Sequence, residues 1–182
     1  LGELAMKITY EVNFSDLDDA FGNSRNALKN LLVKQNHNVA DLRADLVLEN
    51  YQHLTHYPDY LTSISHTKHA GAAVLALRNN FYSLGIDIEW SDRNLKVEAE
   101  RFYRHSEDIY DVSELVLWTM KEAAFKALSP LGFPGVLVLS KIIIQNQKFW
   151  TNERPEIIGE LKIEKLPHQS RELLIAIASV KK

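Results

Sequence analysis

Apolar and polar residues alternate without a break from Tyr82 to Trp90. Tyr82, Leu84, Ile86, Ile88 and Trp90 take one parity, and Ser83, Gly85, Asp87 and Glu89 the other. A period of two predicts a strand with a buried face and a polar face, and it sets Asp87 and Glu89 side by side on the polar one. Lys7 to Phe14 alternates in the same way. Leu61–His66 and Ala72–Leu77 predict two more strands, joined by 67–71 with Gly71 in the turn region. Three strands are predicted to close the chain, over 136–145, 157–166 and 173–180, with turn-rich segments between them.

Helical periodicity is clearest before Leu128. Leu117, Met120, Ala124 and Leu128 form an apolar stripe, and Ser113 is placed to cap the helix. Trp118, Glu122 and Lys126, four residues apart, share another face. Ser15 is predicted to cap a helix running to about Lys34, with Asp16, Asp18 and Asp19 in its first turn, where the helix dipole favours acids. A further helix is predicted over 38–50 on the stripe Val39, Leu42, Leu46, Val47, and another in the charged stretch 92–105. Segments 52–59 and 129–135, marked by Pro58, Pro130, Gly132, Pro134 and Gly135, read as loops. Helices thus accompany a few mainly antiparallel strands in each part of the chain, an α+β pattern without a visible sequence repeat.

With 182 residues, 46% of them hydrophobic, the chain can bury one core or two closely packed halves. A net charge of −3 provides no general basic field for nucleic acid or an anionic membrane. The absence of cysteine excludes a disulfide scaffold and a cysteine zinc site. No apolar run approaches the ~18 residues of a membrane span. Leu1 to Met6 lacks the features of a signal peptide, and Met6 itself could be the natural start. A cytoplasmic location is the default expectation.

The chemistry gathers in the two most regular stretches. Asp87 and Glu89, one step apart, repel each other unless a cation lies between them. Oxygen ligation suits Mg²⁺, which takes one or two protein carboxylates and completes its shell with water and phosphate oxygens. Gly85 leaves room for close approach. Glu122 offers a third carboxylate and Lys126 a cation one turn on. By themselves, Glu122 and Lys126 are equally an ordinary i,i+4 surface pair worth ~0.2–0.5 kcal/mol.

Gly85-Ile86-Asp87-Ile88-Glu89 followed by Trp118-Thr119-Met120-Lys121-Glu122-Ala123-Ala124-Phe125-Lys126 resembles the 4′-phosphopantetheinyl transferases. The likeness is to their larger single-chain branch and, within it, to the Trp-Lys-Glu-Ala subgroup that includes enterobactin-type enzymes. It is good from Ser63 to Lys126 and elsewhere rests on element order. It implies a pseudo-two-fold α+β fold of two similar halves, here 1–84 and 85–182, packed as one unit. The implied reaction is Mg²⁺-dependent transfer of 4′-phosphopantetheine from coenzyme A to a serine of an apo acyl or peptidyl carrier protein, releasing 3′,5′-ADP.

Carried over residue by residue, the resemblance makes Asp87, Glu89 and Glu122 metal ligands and Glu122 and Lys126 catalytic, with Glu122 the general base. Arg25, Ser65, His66, Lys121 and Lys126 become contacts for coenzyme A. Ser63-Ile64-Ser65-His66 matches the family's Ser-x-Ser-His segment, while its Gly-Lys-Pro segment is absent. Arg101 to Glu107 is similar to an Arg-Phe-Phe segment ending in Glu, although Glu107 equally reads as a helix-start acid. Arg25 equally reads as an exposed charge on a helix face. A monomer with its site between the halves is implied. Two other readings remain open: a Mg²⁺-dependent nucleotide pyrophosphohydrolase, and a non-catalytic coenzyme A-binding module.

Overall fold

A computed structural model describes residues 7–182; the Met6 start lies outside them. The first half contains β1 (Thr9–Phe14), α1 (Ala20–Lys34), β2 (Leu48–Glu49), β3 (His53–Leu54), β4 (Tyr60–Thr67) and β5 (Ala70–Leu77). The second contains β6 (Phe81–Trp90), the short α2 (Glu100–Tyr103), α3 (Glu114–Leu128), β7 (Ile142–Gln145), β8 (Lys148–Thr151), β9 (Gly159–His168) and β10 (Arg171–Lys181). The class is α+β. Because β6 is one unbroken strand from Phe81, the halves divide in the turn at 78–80 and not at 84.

The halves share one topology. The first sheet runs β1-β5-β4-β3-β2 and the second β6-β10-β9-β8-β7, all pairs antiparallel. In each, the opening strand pairs with the last, and the main helix follows the opening strand. A trace of the repeat survives in sequence, where Phe14-Ser15-Asp16 ends β1 as Trp90-Ser91-Asp92 ends β6. The backbone N–H of each serine bonds at the start of the strand that pairs with its own, Ser15 to the carbonyl of His69 just before β5 and Ser91 to that of Glu172 in β10.

The core has three apolar layers, of which the middle one joins the halves. Ala27, Leu28, Leu31 and Leu32 of α1 pack on Ala73 and Leu75 of β5. Ala72 and Val74, on the other face of β5, meet Leu84, Ile86 and Ile88 of β6 and Leu173, Ile175 and Ile177 of β10. Leu117, Met120 and Ala124 of α3 cover Leu174, Ala176 and Ala178. The period-two pattern of β6 is therefore divided between the sheet–sheet core and α3. Gly85 lies on the α3 side because α3 crosses so close that a Cβ would collide with the Ala123 carbonyl oxygen and stand 2.9 Å from the Ala127 nitrogen.

Some expected elements are corrected. The first helix is capped by Asp19, whose Oδ1 accepts from the Gly22 N–H at 2.9 Å, and Gly22 and Asn23 lie within it. No helix forms over 38–50. Asp45 accepts from the N–H groups of Ala40 and Asp41, and Asp41 from those of Arg43 and Ala44, so side chains take donors that a helix would use. The helix expected in the stretch 92–105 is short, a 3₁₀ turn at Val97–Ala99 running directly into α2. The strand expected over 136–145 is formed only from Ile142, as β7, after a 3₁₀ turn at Leu139–Lys141, and β8 follows β7 in a hairpin. Asn146 and Gln147, both at positive φ, form its two-residue loop, as the twist of adjoining strands requires.

Gly85→Ala must push α3 off the sheet. It is expected to lower unfolding stability by about 1–3 kcal/mol, as overpacking does, and urea denaturation checks this.

Candidate functional site

Asp87, Lys126 and Ser65 meet where the halves join. Lys126, in the last turn of α3, places Nζ 2.8 Å from Asp87 Oδ1, 3.1 Å from Ser65 Oγ and 2.9 Å from the Ile86 carbonyl oxygen. An ammonium group has three N–H donors, and all three are engaged here. Ser65 Oγ in turn donates to Asp87 Oδ1 at 2.8 Å. A residue of the first half thus completes a cluster of the second. Asp87 and Glu89 are both 7% exposed. An ion pair this sheltered matters more for what it orients than for net stability.

The three expected metal ligands are arranged unequally. Asp87 faces Lys126, and Glu89 is bonded by Arg93, whose guanidinium lies 5.8 Å from the ring centre of Trp118. Glu122, half-buried on α3, forms no ion pair among the described residues. Burial, and then the charge of Asp87, push its carboxyl above the usual glutamate range, while Lys126 and Arg93 pull the other way. Asp87 and Glu122 therefore lie close enough to repel, a setting that a hard cation relieves. The donor set fits Mg²⁺ in chemistry. The full triad, however, is not gathered: among the described residues no three His, Asp or Glu stand together as a metal cage.

The expected coenzyme contacts separate into three groups. Ser65 belongs to the cluster. His66, one residue on, is exposed and points to the opposite face of β4, the face that α1 covers. It pairs with Gly71, against which the Ser24 backbone packs, so the residue just before Arg25 lies close by. Arg25 is half-buried with its guanidinium over the Phe21 ring at 5.0 Å, and burial lowers its pKa from the usual arginine value. Any single ligand that touches Ser65 and His66 must cross the β4 edge.

Lys121 is corrected outright. It is 0% exposed and points away from Glu122, with Nζ 2.8 Å from Asp108 and also bonded to the Ile142 carbonyl oxygen. Burial lowers its pKa, which the Asp108 carboxylate opposes. Asp108 is saturated as well, accepting from the backbone N–H of His105 at 2.8 Å and of Ile144 at 2.9 Å. This pair fastens the 105–109 loop and β7 to α3 and cannot meet a ligand. Consecutive helical residues point about 100° apart, so Lys121 and Glu122 could not both face the site. Glu107 is exposed and bonded through its carbonyl to Gln145, away from the carboxylates.

Two cavities bear on access. One of about 430 Å³ has Glu122 in its wall, with Arg101, Phe102, Phe125, Leu137 and Leu139, all from the second half. Another, of about 400 Å³, is lined by both halves through Phe14, His69, Trp90, His168 and Arg171 and holds none of the expected site residues.

One residue outside the expected set reaches the cluster. The buried amide of Gln52 bonds to the backbone of Leu84 and Lys126. Its signal in sequence was slight, a polar residue between Tyr51 and His53 in a loop.

Compared with known proteins, the chain matches no protein-family model and no curated protein. No helix among the described residues is long and apolar enough to cross a membrane.

Two outcomes are expected. Asp108→Ala leaves Lys121 buried and unpaired and should cost about 3–5 kcal/mol by chemical denaturation. In EDTA, Glu122→Gln should melt higher than the parent at neutral pH. A carboxyl with a raised folded-state pKa destabilises above its unfolded pKa and does so fully above the folded one. The difference should therefore shrink as pH falls into the ordinary glutamate range, and thermal melts across pH follow it.

Proposed function

We propose that this chain is a 4′-phosphopantetheinyl transferase of the single-chain, pseudo-two-fold type, moving phosphopantetheine from coenzyme A to a carrier-protein serine. The observation that carries the reading is the junction of Ser65, Asp87 and Lys126, with the unpaired Glu122 beside it. Asp87, Glu122 and Lys126 come from the two motifs whose order suggested the family, and Ser65 from the Ser-x-Ser-His segment matched to it. The repeated topology supports the same reading. So does a site built within one chain, from which a working monomer is expected.

In this reaction the serine oxygen bonds to the phosphorus that bears the pantetheine arm. The bond from that phosphorus to the bridging oxygen breaks, and 3′,5′-ADP leaves with the electron pair. Asp87, Glu89 and Glu122 would hold Mg²⁺, which supplies charge neutralisation at the pyrophosphate. Glu122 is the carboxylate placed to take the serine proton, directly or through water. Lys126, with its donors engaged on Ser65, Ile86 and Asp87, acts through its positive field and by fixing Asp87. Arg25 and His66, on the α1 side, would take the outer phosphate of coenzyme A while Ser65 serves the pyrophosphate side. Phe102, Phe125, Leu137 and Leu139 provide an apolar wall next to Glu122.

Incubation with coenzyme A, Mg²⁺ and an apo carrier protein should raise the carrier mass by one phosphopantetheine. Asp87→Asn, Glu122→Gln or EDTA should abolish the gain without unfolding the protein. Loss of coenzyme A to hydrolysis with no carrier gain would point instead to a pyrophosphohydrolase. Binding of coenzyme A without turnover would indicate a non-catalytic module. His66→Ala should raise KM for coenzyme A more than it lowers kcat, since lost ground-state contacts read out that way. Light scattering at the assay concentration should give a monomer mass.

A further inference from the structure

We infer that Gln52, through its buried side-chain amide, is a positioning residue that sets β6 and the end of α3 at the spacing the carboxylate–lysine cluster needs. The inference rests on the transferase reading above.

The edge of β6 away from β10 has no strand partner, so the backbone groups of Leu84 and Ile86 on that edge need other partners. Gln52 is 1% exposed. Its Oε1 accepts from the Leu84 N–H at 3.2 Å, and its Nε2 donates to the Leu84 carbonyl. The same Nε2 donates to the Lys126 carbonyl at 2.9 Å. That carbonyl is among the last four of α3, which have no partner within the helix. One side chain of the first half therefore bonds to the strand bearing Asp87 and Glu89 and to the backbone of Lys126 itself. The bonds fix the amide orientation, because only the NH₂ end can serve two carbonyls.

The loop that delivers this amide is costly. Asn50 and Tyr51 stand at φ 50° and 63°, closing the turn from Glu49 to Gln52. Asparagine tolerates that region, whereas a tyrosine there is strained, and Tyr51 is 86% exposed, with little burial of its own to offset the strain. That turn ends in the fully bonded amide of Gln52. Shifting Lys126 by a fraction of its side chain's reach would unseat Nζ from Asp87 and Ser65 together.

Mn²⁺, which shares the oxygen preference of Mg²⁺ and is visible by electron paramagnetic resonance, serves as the probe. Gln52→Met keeps the volume and removes every bond. Gln52→Glu keeps the acceptor for Leu84 and loses the donors. Both are expected to bind Mn²⁺ at least about tenfold more weakly and to lose a similar factor in kcat, as happens when groups orienting metal ligands are removed. Arg25 and His66 lie on the other face, so His66→Ala should raise KM for coenzyme A by the same factor in either variant as in the parent. Gln52→Asn, with the amide one carbon too short, should not restore either value. Parental Mn²⁺ affinity and kcat in both folded variants would overturn the role. Failure of both to fold would also overturn it, making Gln52 a structural strut. Wild-type protein that neither binds Mn²⁺ nor modifies a carrier would instead overturn the transferase reading itself.

Discussion

The open edge of β6 is the constraint on which the site depends. A strand edge that leaves backbone groups without partners inside a packed protein must be closed by something. Here it is closed by side chains and not by another strand. Gln52 takes Leu84, Ser63 Oγ accepts from the Ile86 N–H at 3.2 Å, and Lys126 takes the Ile86 carbonyl. Farther along, the Trp90 indole N–H donates to the Lys68 carbonyl at 2.8 Å. Three of these four groups come from, or end on, the first half. The same bonds that join the halves thus bring Ser65 to Asp87.

The repeat shows how one site differs from its counterpart. In each half a lysine in the last turn of the main helix pairs with a carboxylate on the opening strand, Lys34 with Glu11 and Lys126 with Asp87. Two residues past Glu11 stands Asn13, which donates to Asn23 Oδ1. Two residues past Asp87 stands Glu89. The first half therefore has a neutral amide pair where the second has an extra charge. The Lys34–Glu11 pair is also exposed to solvent, where such pairs contribute little. Only the second half combines burial with several carboxylates, and that combination concentrates field and shifts pKa values.

Burial also separates two lysines that look alike in sequence. Lys121 and Lys126 sit on one helix five residues apart, and both neighbour Glu122 in the motif. Lys121 is locked to Asp108 beneath α3 as part of the fold, and Lys126 reaches across to the other half. A helix presents its residues all round, so a motif of consecutive residues cannot all face one ligand.

The local patterns determined much of this protein. Alternation alone located β6 and the shared side of Asp87 and Glu89, because side chains on a strand alternate by stereochemistry whatever surrounds it. The Ser113-capped helix and the face shared by Glu122 and Lys126 followed from the 3.6-residue period. The order of elements pointed to an α+β chain in two parts. Tertiary structure decided what depends on contacts between distant segments. It closed the β6 edge with Gln52 and Ser63, set the Ser65 face of β4 against β6 and laid α1 over the other face. It gave Arg93 to Glu89 and Asp108 to Lys121, and it let aspartate side chains dissolve the helix expected over 38–50. Periodicity reports which face a residue takes on its own element, but the partner across that face comes from another part of the chain.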